Sequence, residues 1–252
     1  MAGLEPYRNE LLAAVRDDGT GNWLNLLAAN GFRIQPHAKG LEFEIKYTPR
    51  SAAVGELGDY ARILLASEDL PQGVISPQWL VFGASTVEYW LLDGTEWSKR
   101  RKSSGTDVLK RKAHQVFRDP STGTPLVQST EDFVTDPERI TVLLEDVGGS
   151  AGVVDKARAK GHYVDLATGI VFNLVESRCR VGDAEQIQLE LEYGAHVHHA
   201  SQEPAVESTP AELRAQLWNL HRLLNPRFDK AGLDTTVELK RDFVQTASAK
   251  HT

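Results

Sequence analysis

Two stretches about 150 positions apart restrict the fold of this chain more than any other feature. Leu-Glu-Phe-Glu-Ile-Lys-Tyr at 41–47 alternates without a break, and Gln-Ile-Gln-Leu-Glu-Leu-Glu-Tyr at 186–193 does so again. In a strand, successive side chains leave on opposite faces. Glu42, Glu44 and Lys46 then share one face, and Leu41, Phe43, Ile45 and Tyr47 share the other. In the second copy Glu190 and Glu192 lie with Gln186 and Gln188, opposite Ile187, Leu189, Leu191 and Tyr193. The apolar faces require burial. Carboxylates two residues apart on a strand stand about 7 Å from each other, and they repel unless a cation or a set of basic groups lies between them. Glutamate and lysine are depleted from strands. A solvated face explains one such copy as well as a site does; the recurrence favours a site.

Bases occupy the sequence between the two copies. A strand at 95–102, returning from a hairpin at Asp93-Gly94, carries Lys99, Arg100, Arg101 and Lys102. The next, at 108–112, carries Lys110, Arg111 and Lys112. Alternation pairs Lys99 with Arg101 and Lys110 with Lys112. Lys156, Arg158 and Lys160 are spaced by two, as are Arg178 and Arg180. Segments 162–166 and 170–175 bracket a turn at Ala167-Thr168-Gly169. Strands at short spacing from 41 to 193 predict an α+β fold: a mainly antiparallel sheet closed into a β-barrel with flanking helices. Closure turns the acidic and basic faces into one charged interior.

The flanks read as packing. Residues 1–40 form a helical N-terminal extension, with Tyr7, Leu11 and Leu12 at helical spacing and a second helix over 22–29 that buries Trp23 and Leu24. Residues 52–66 carry a helical stripe, 118–138 read as a loop, and 139–146 read as a strand. The barrel domain spans 41–199. Residues 200–252 form a linker and a C-terminal helical segment packing on the barrel. That helix starts at Thr209-Pro210 and stops at Asn225-Pro226; 237–244 give no clear signal. His196, His198 and His199 lack an acid or cysteine at metal-ligand spacing.

Composition removes several function classes. A net charge of −7 argues against extended nucleic-acid binding. The single cysteine, Cys179, forms no internal disulfide and reads as a small packed side chain. There is no secretory leader pattern and no apolar run long enough to cross a membrane. The expected compartment is the cytoplasm, with no membrane partner, and a homodimer is left open.

The ordered set of acid pair, basic strands and acid pair resembles the CYTH superfamily of triphosphate tunnel metalloenzymes. Glu42-Phe-Glu44-Ile-Lys46 is similar to its Glu-x-Glu-x-Lys signature, and Glu190-Leu-Glu192 to its closing strand, so the likeness covers roughly 41–194. The resemblance implies that the barrel is a closed, eight-stranded antiparallel tunnel that holds a triphosphate-containing small molecule with Mg²⁺ or Mn²⁺. It implies Glu42, Glu44, Glu190 and Glu192 as metal ligands, joined by Lys46 and Arg158 in the catalytic set. Lys46, Lys99, Arg101, Lys110, Lys112, Lys156 and Arg158 are the implied phosphate-binding residues, with Arg178 and Arg180 as further candidates. The implied activity is a metal-dependent triphosphatase. An adenylyl cyclase, an RNA 5′-triphosphatase and a non-catalytic polyphosphate or nucleotide binder are the alternatives.

Overall fold

A computed structural model describes residues 3–16, 27–36, 40–51, 56–60, 64, 73–75, 80–92, 95–101, 105–147, 149–203 and 208–249. Trp23, Leu24, most of the 52–66 stripe and the Asp93-Gly94 turn lie outside them. The elements in chain order are α1 (Arg8–Arg16), β1 (Phe32–Pro36), β2 (Leu41–Pro49), β3 (Gly73–Ile75), β4 (Leu80–Leu92), β5 (Thr95–Arg101), β6 (Asp107–Arg118), β7 (Pro125–Val134), α2 (Pro137–Val147), β8 (Gly152–Asp165), β9 (Ile170–Val181), β10 (Ala184–His199), α3 (Pro210–Lys230), β11 (Leu233–Thr236) and α4 (Lys240–Ser248).

Eight antiparallel strands run β10-β9-β8-β4-β5-β6-β7-β2, and β2 pairs back to β10. The expected closed ring is therefore there. Its closing seam is made by the two alternating stretches, 41–47 and 186–193: Glu190 stands opposite Lys46, and Glu192 opposite Glu44. The far half of β10 carries β1, and β11 extends β2 beyond the end of β7. The turn between β8 and β9 uses Gly169 at φ +74°, where a side chain would be strained.

The ring keeps its main apolar core on the outside. Phe43, Ile45, Tyr47, Leu189 and Leu191 point outward and are buried under α3 through Leu213, Leu217, Leu220, Leu224 and Phe228. The Tyr47 ring stacks on Phe228 at 4.0 Å, and its hydroxyl lies 2.8 Å from His221 Nδ1. Helix α3 opens with a capping box: Thr209 Oγ1 accepts from the Glu212 amide, and the Glu212 carboxylate accepts from the Thr209 amide at 2.7 Å. It does not stop at Asn225-Pro226 but runs through Pro226 to Lys230, and the extra turn delivers Phe228 onto Tyr47.

Smaller apolar clusters flank the charged section. Leu4, Leu11 and Phe32 pack on Val164, Val171, Ala195 and Val197 beside α1. Val244 of α4 packs on Val87, Val154 and Cys179 on the other side.

Two elements differ from the sequence reading. Residues 139–146 are helical, not a strand, because Asp136 caps the start, accepting from the Glu138 amide at 3.1 Å, and Pro137 opens the first turn. Residues 125–134, read as loop, form ring strand β7. No helix among the described residues is long and apolar enough to cross a membrane.

Candidate active site

Strand alternation and the cross-strand register fix which side chains enter the ring. On β2 and β10 these are Glu42, Glu44, Lys46, Glu190 and Glu192. Oxygens of Glu42, Glu44 and Glu192 lie within 4.8 Å of one another. Their mutual repulsion shows in their acidities. Burial and then Glu42 and Glu190 push Glu192 up to about 7, against the lesser pull of Lys160. Glu44 is also raised, by burial and by Glu42 and Glu190, with Lys46 opposing. Glu42 goes the other way: the penalty of burial is outweighed by Lys112 and Lys110.

Glu190 is held apart from this cluster. Its carboxylate takes Lys46 Nζ at 2.8 Å and also Lys240, and these cations with Lys156 overcome burial to hold its pKa well below the usual carboxylate range. Lys46 bridges on to Glu44 at 2.7 Å. Of the four expected metal ligands, the structure brings three together and gives the fourth to lysines.

The opposite wall is basic. Lys110 and Lys112 of β6 enter the ring as read; Glu131 of β7 bonds both, at 2.8 Å from Lys112, and Lys112 reaches Glu42. Lys156 and Arg158 of β8 line the same cavity. Burial, then Lys240 and Arg158, lower Lys156 to about 7. Lys160 continues that face and lies in the field of Glu192. The cavity measures about 240 Å³.

Three expected phosphate ligands do not enter the ring. Lys99 faces outward, 3.6 Å from Glu88 and over the Trp90 ring. Arg100 lines the cavity instead, in step with Glu96 and Ser98. Four consecutive cations give no parity of their own. Trp97, opposite Trp90, sets it by taking the outer face. Arg178 and Arg180 also point outward, 3.5 Å from Glu176 and 3.7 Å from Glu185. Small, buried Cys179 occupies the inward position between them, opposite Lys156. Arg101 pairs with Asp107 in the backbone register; its side chain lies outside the described set.

Besides Arg100, sequence reasoning missed four more inward groups discussed here among the described residues: Glu96, Glu131, His114 and Lys240. Glu96 lay on a strand read for its bases. Glu131 lay in a stretch read as loop. His114 continues the Lys110, Lys112 alternation, so a signal for it existed. Lys240 enters from the first turn of α4, where the sequence gives no local signal.

With this geometry in view, the likenesses to known proteins are modest. No protein-family model matches the chain, and no curated protein matches it. Among solved structures it is similar to the PH1012 protein of Pyrococcus horikoshii, at 20% identity over 81% of this chain and 99% of that one, with a TM-score of 0.43. It is similar to PH1819 of the same organism, at 15% identity over 83% and 99%, with a TM-score of 0.42. It is also similar to the Pct1 RNA triphosphatase of S. pombe, at 14% identity over 84% and 87%, with a TM-score of 0.35. At these scores the function must be read from the site itself.

Proposed function

We propose that this chain is a member of the CYTH superfamily and a metal-dependent phosphohydrolase. Its reaction is removal of the terminal phosphate from inorganic triphosphate or an organic triphosphate held in the ring. One observation carries the reading: a cluster of three carboxylates, of which Glu44 lines the cavity, shares the ring interior with a wall of cations.

Charge supports it. Among the described side chains, Lys46, Arg100, Lys110, Lys112, Lys156, Arg158, Lys160 and Lys240 face Glu42, Glu44, Glu96, Glu131, Glu190 and Glu192 inside the ring. With every group ionised, these described side chains leave two positive charges in excess. Terminal phosphates hold between one and two negative charges each, so a triphosphate brings about four. One divalent cation with one triphosphate leaves the filled ring near neutrality.

The donor set fits a hard cation. Glu42, Glu44 and Glu192 offer only oxygens, as Mg²⁺ or Mn²⁺ prefer, and a cation among them would relieve the repulsion that raises Glu192 and Glu44. Such an ion supplies charge neutralisation at the phosphate oxygens. The remaining work belongs to the protein. Lys110, Lys112, Lys156 and Arg158 bind and orient the chain of phosphates. Arg100 and Arg158 can each grip two oxygens. Lys46 fixes the positions of Glu44 and Glu190.

The test is incubation with inorganic triphosphate, ATP and a 5′-triphosphorylated RNA, each with Mg²⁺ or Mn²⁺, while phosphate, pyrophosphate and cyclic AMP are measured. Metal-dependent phosphate release, lost in Glu42→Ala with the circular dichroism spectrum unchanged, is the expected outcome. Cyclic AMP with pyrophosphate identifies a cyclase. Thermal stabilisation by triphosphate without turnover identifies a binder.

A further inference from the structure

His114 is an imidazole that lines the charged cavity. It follows Lys110 and Lys112 on β6, and its side chain is only 10% exposed. Nδ1 lies 2.8 Å from Ser129 Oγ. In the protonated ring both nitrogens carry a hydrogen: Nδ1 donates to that hydroxyl, and the second proton sits on Nε2. Nε2 stands 3.5 Å from Glu96 Oε2 and has no hydrogen-bond partner. The contact is electrostatic, too long for a strong hydrogen bond, and it leaves Nε2 open to an incoming group.

The position matters as much as the chemistry. Ser129 stands directly across from His114 on one side and from Glu42 on the other. With strands just under 5 Å apart, the His114 and Glu42 backbones are separated by about 10 Å, and both side chains enter the ring. A phosphate held by Lys112, which contacts Glu42, therefore lies within reach of Nε2. The charged groups around His114 are Glu96 from β5, Lys112 from its own strand, Glu131 from β7 and Glu42 from β2. Arg241 of α4 adds to them, 4.0 Å from the Glu96 carboxylate.

We infer that His114, oriented by Ser129 and given a counter-charge by Glu96, donates the proton that accompanies the leaving phosphate group. The inference rests on the hydrolase reading above. The oxygen of a water bonds to the terminal phosphorus. The bond from that phosphorus to the bridging oxygen breaks, and its electron pair stays on the bridging oxygen. The proton on Nε2 passes to that oxygen, while the water's surplus proton leaves to solvent with the product phosphate. The neutral imidazole then regains a proton from solvent. Histidine suits this exchange because its ordinary pKa lies near neutrality.

The experiment combines pH profiles of kcat on inorganic triphosphate with Mg²⁺, for the parent, His114→Gln and Glu96→Gln, with an NMR titration of the parent's His114 ring. The titration is run with and without metal-free inorganic triphosphate. The parent's kcat should fall on the basic side as the imidazolium loses its proton. His114→Gln should lower kcat about a hundredfold and abolish that limb, with KM little changed. Glu96→Gln should move the limb to lower pH. Triphosphate should raise the His114 pKa. If His114→Gln keeps the parent's rate and basic limb while the parent turns over, the donor role is overturned and the hydrolase reading stands. If the parent cleaves no triphosphate, the hydrolase reading falls and the donor role falls with it. A His114 ring whose titration ignores triphosphate overturns the proposed contact in either case.

Discussion

Glu190 and Glu192 share a strand and a face, yet their removal should move stability in opposite directions. Glu190 touches Lys46 and Lys240, whereas Glu192 faces Glu42 and Glu44. In the folded protein Glu192 titrates near 7, against 4.5 as the ordinary value. The sign follows. Below pH 4.5 the carboxyl is protonated in both folded and unfolded chains. Between 4.5 and about 7 only the folded chain keeps the proton, so stability present at low pH is lost as pH rises through that window. At about 1.4 kcal/mol per pH unit the loss is about 3 kcal/mol, a ceiling because the carboxyl is partly open to the cavity. Glu192→Gln removes this term. At pH 8 in EDTA it should stabilise the protein by up to about 3 kcal/mol, a Tm rise of up to roughly 6–12 °C. Its advantage should shrink at pH 5. Glu190→Gln instead strips buried lysines of a partner, a loss on the order of 3 kcal/mol. Saturating Mg²⁺ or Mn²⁺ should stabilise the parent more than Glu192→Gln. Thermal and urea unfolding with and without metal measure all of this. Shifts of the same sign for both variants, or no gain for Glu192→Gln at pH 8, would refute the crowding of these carboxylates.

The parity of β5 can be tested by calorimetry with inorganic triphosphate: Arg100→Ala should weaken binding about tenfold or more, a charged hydrogen bond being worth roughly 1.5–3 kcal/mol, whereas Lys99→Ala should change it little. Lys156, lowered to about 7, should take up a proton when triphosphate binds at pH 8; heats measured in buffers of different ionisation enthalpy will count it, and Lys156→Met should reduce the uptake by up to one proton. Tyr47→Phe removes the hydroxyl that meets His221 under α3 and should destabilise by about 1 kcal/mol in urea unfolding, without affecting phosphate release.

The ring was legible in the sequence because unbroken alternation in 41–47 and 186–193 leaves one choice of faces. Hydrophobic partners settled it: Phe43, Ile45, Leu189 and Leu191 need cover, so the glutamates turn inward. Where alternation is blurred, the reading failed. Lys99-Arg100-Arg101-Lys102 looks the same at either parity, and only Trp97 distinguishes them. Pro125-Leu-Val-Gln-Ser-Thr-Glu-Asp has weak strand propensity and forms β7 because β6 and β2 flank it. Ile140–Leu144 is a short apolar run that fits strand or helix; the cap at Asp136 decides it. Lys240 reaches Glu190 from 50 residues away, a meeting that no local pattern encodes.

A ring whose greasy residues face a helical jacket has a consequence for how such a chain can change over generations. Substitutions among the charged groups of its lumen do not open holes in the main hydrophobic core, since α3 holds the wall from outside. The lining can be rewritten side chain by side chain, shifting which anion is accepted, while the scaffold stays intact. Conversely, a lesion at Leu217 or Phe228, far from any phosphate, threatens the whole architecture.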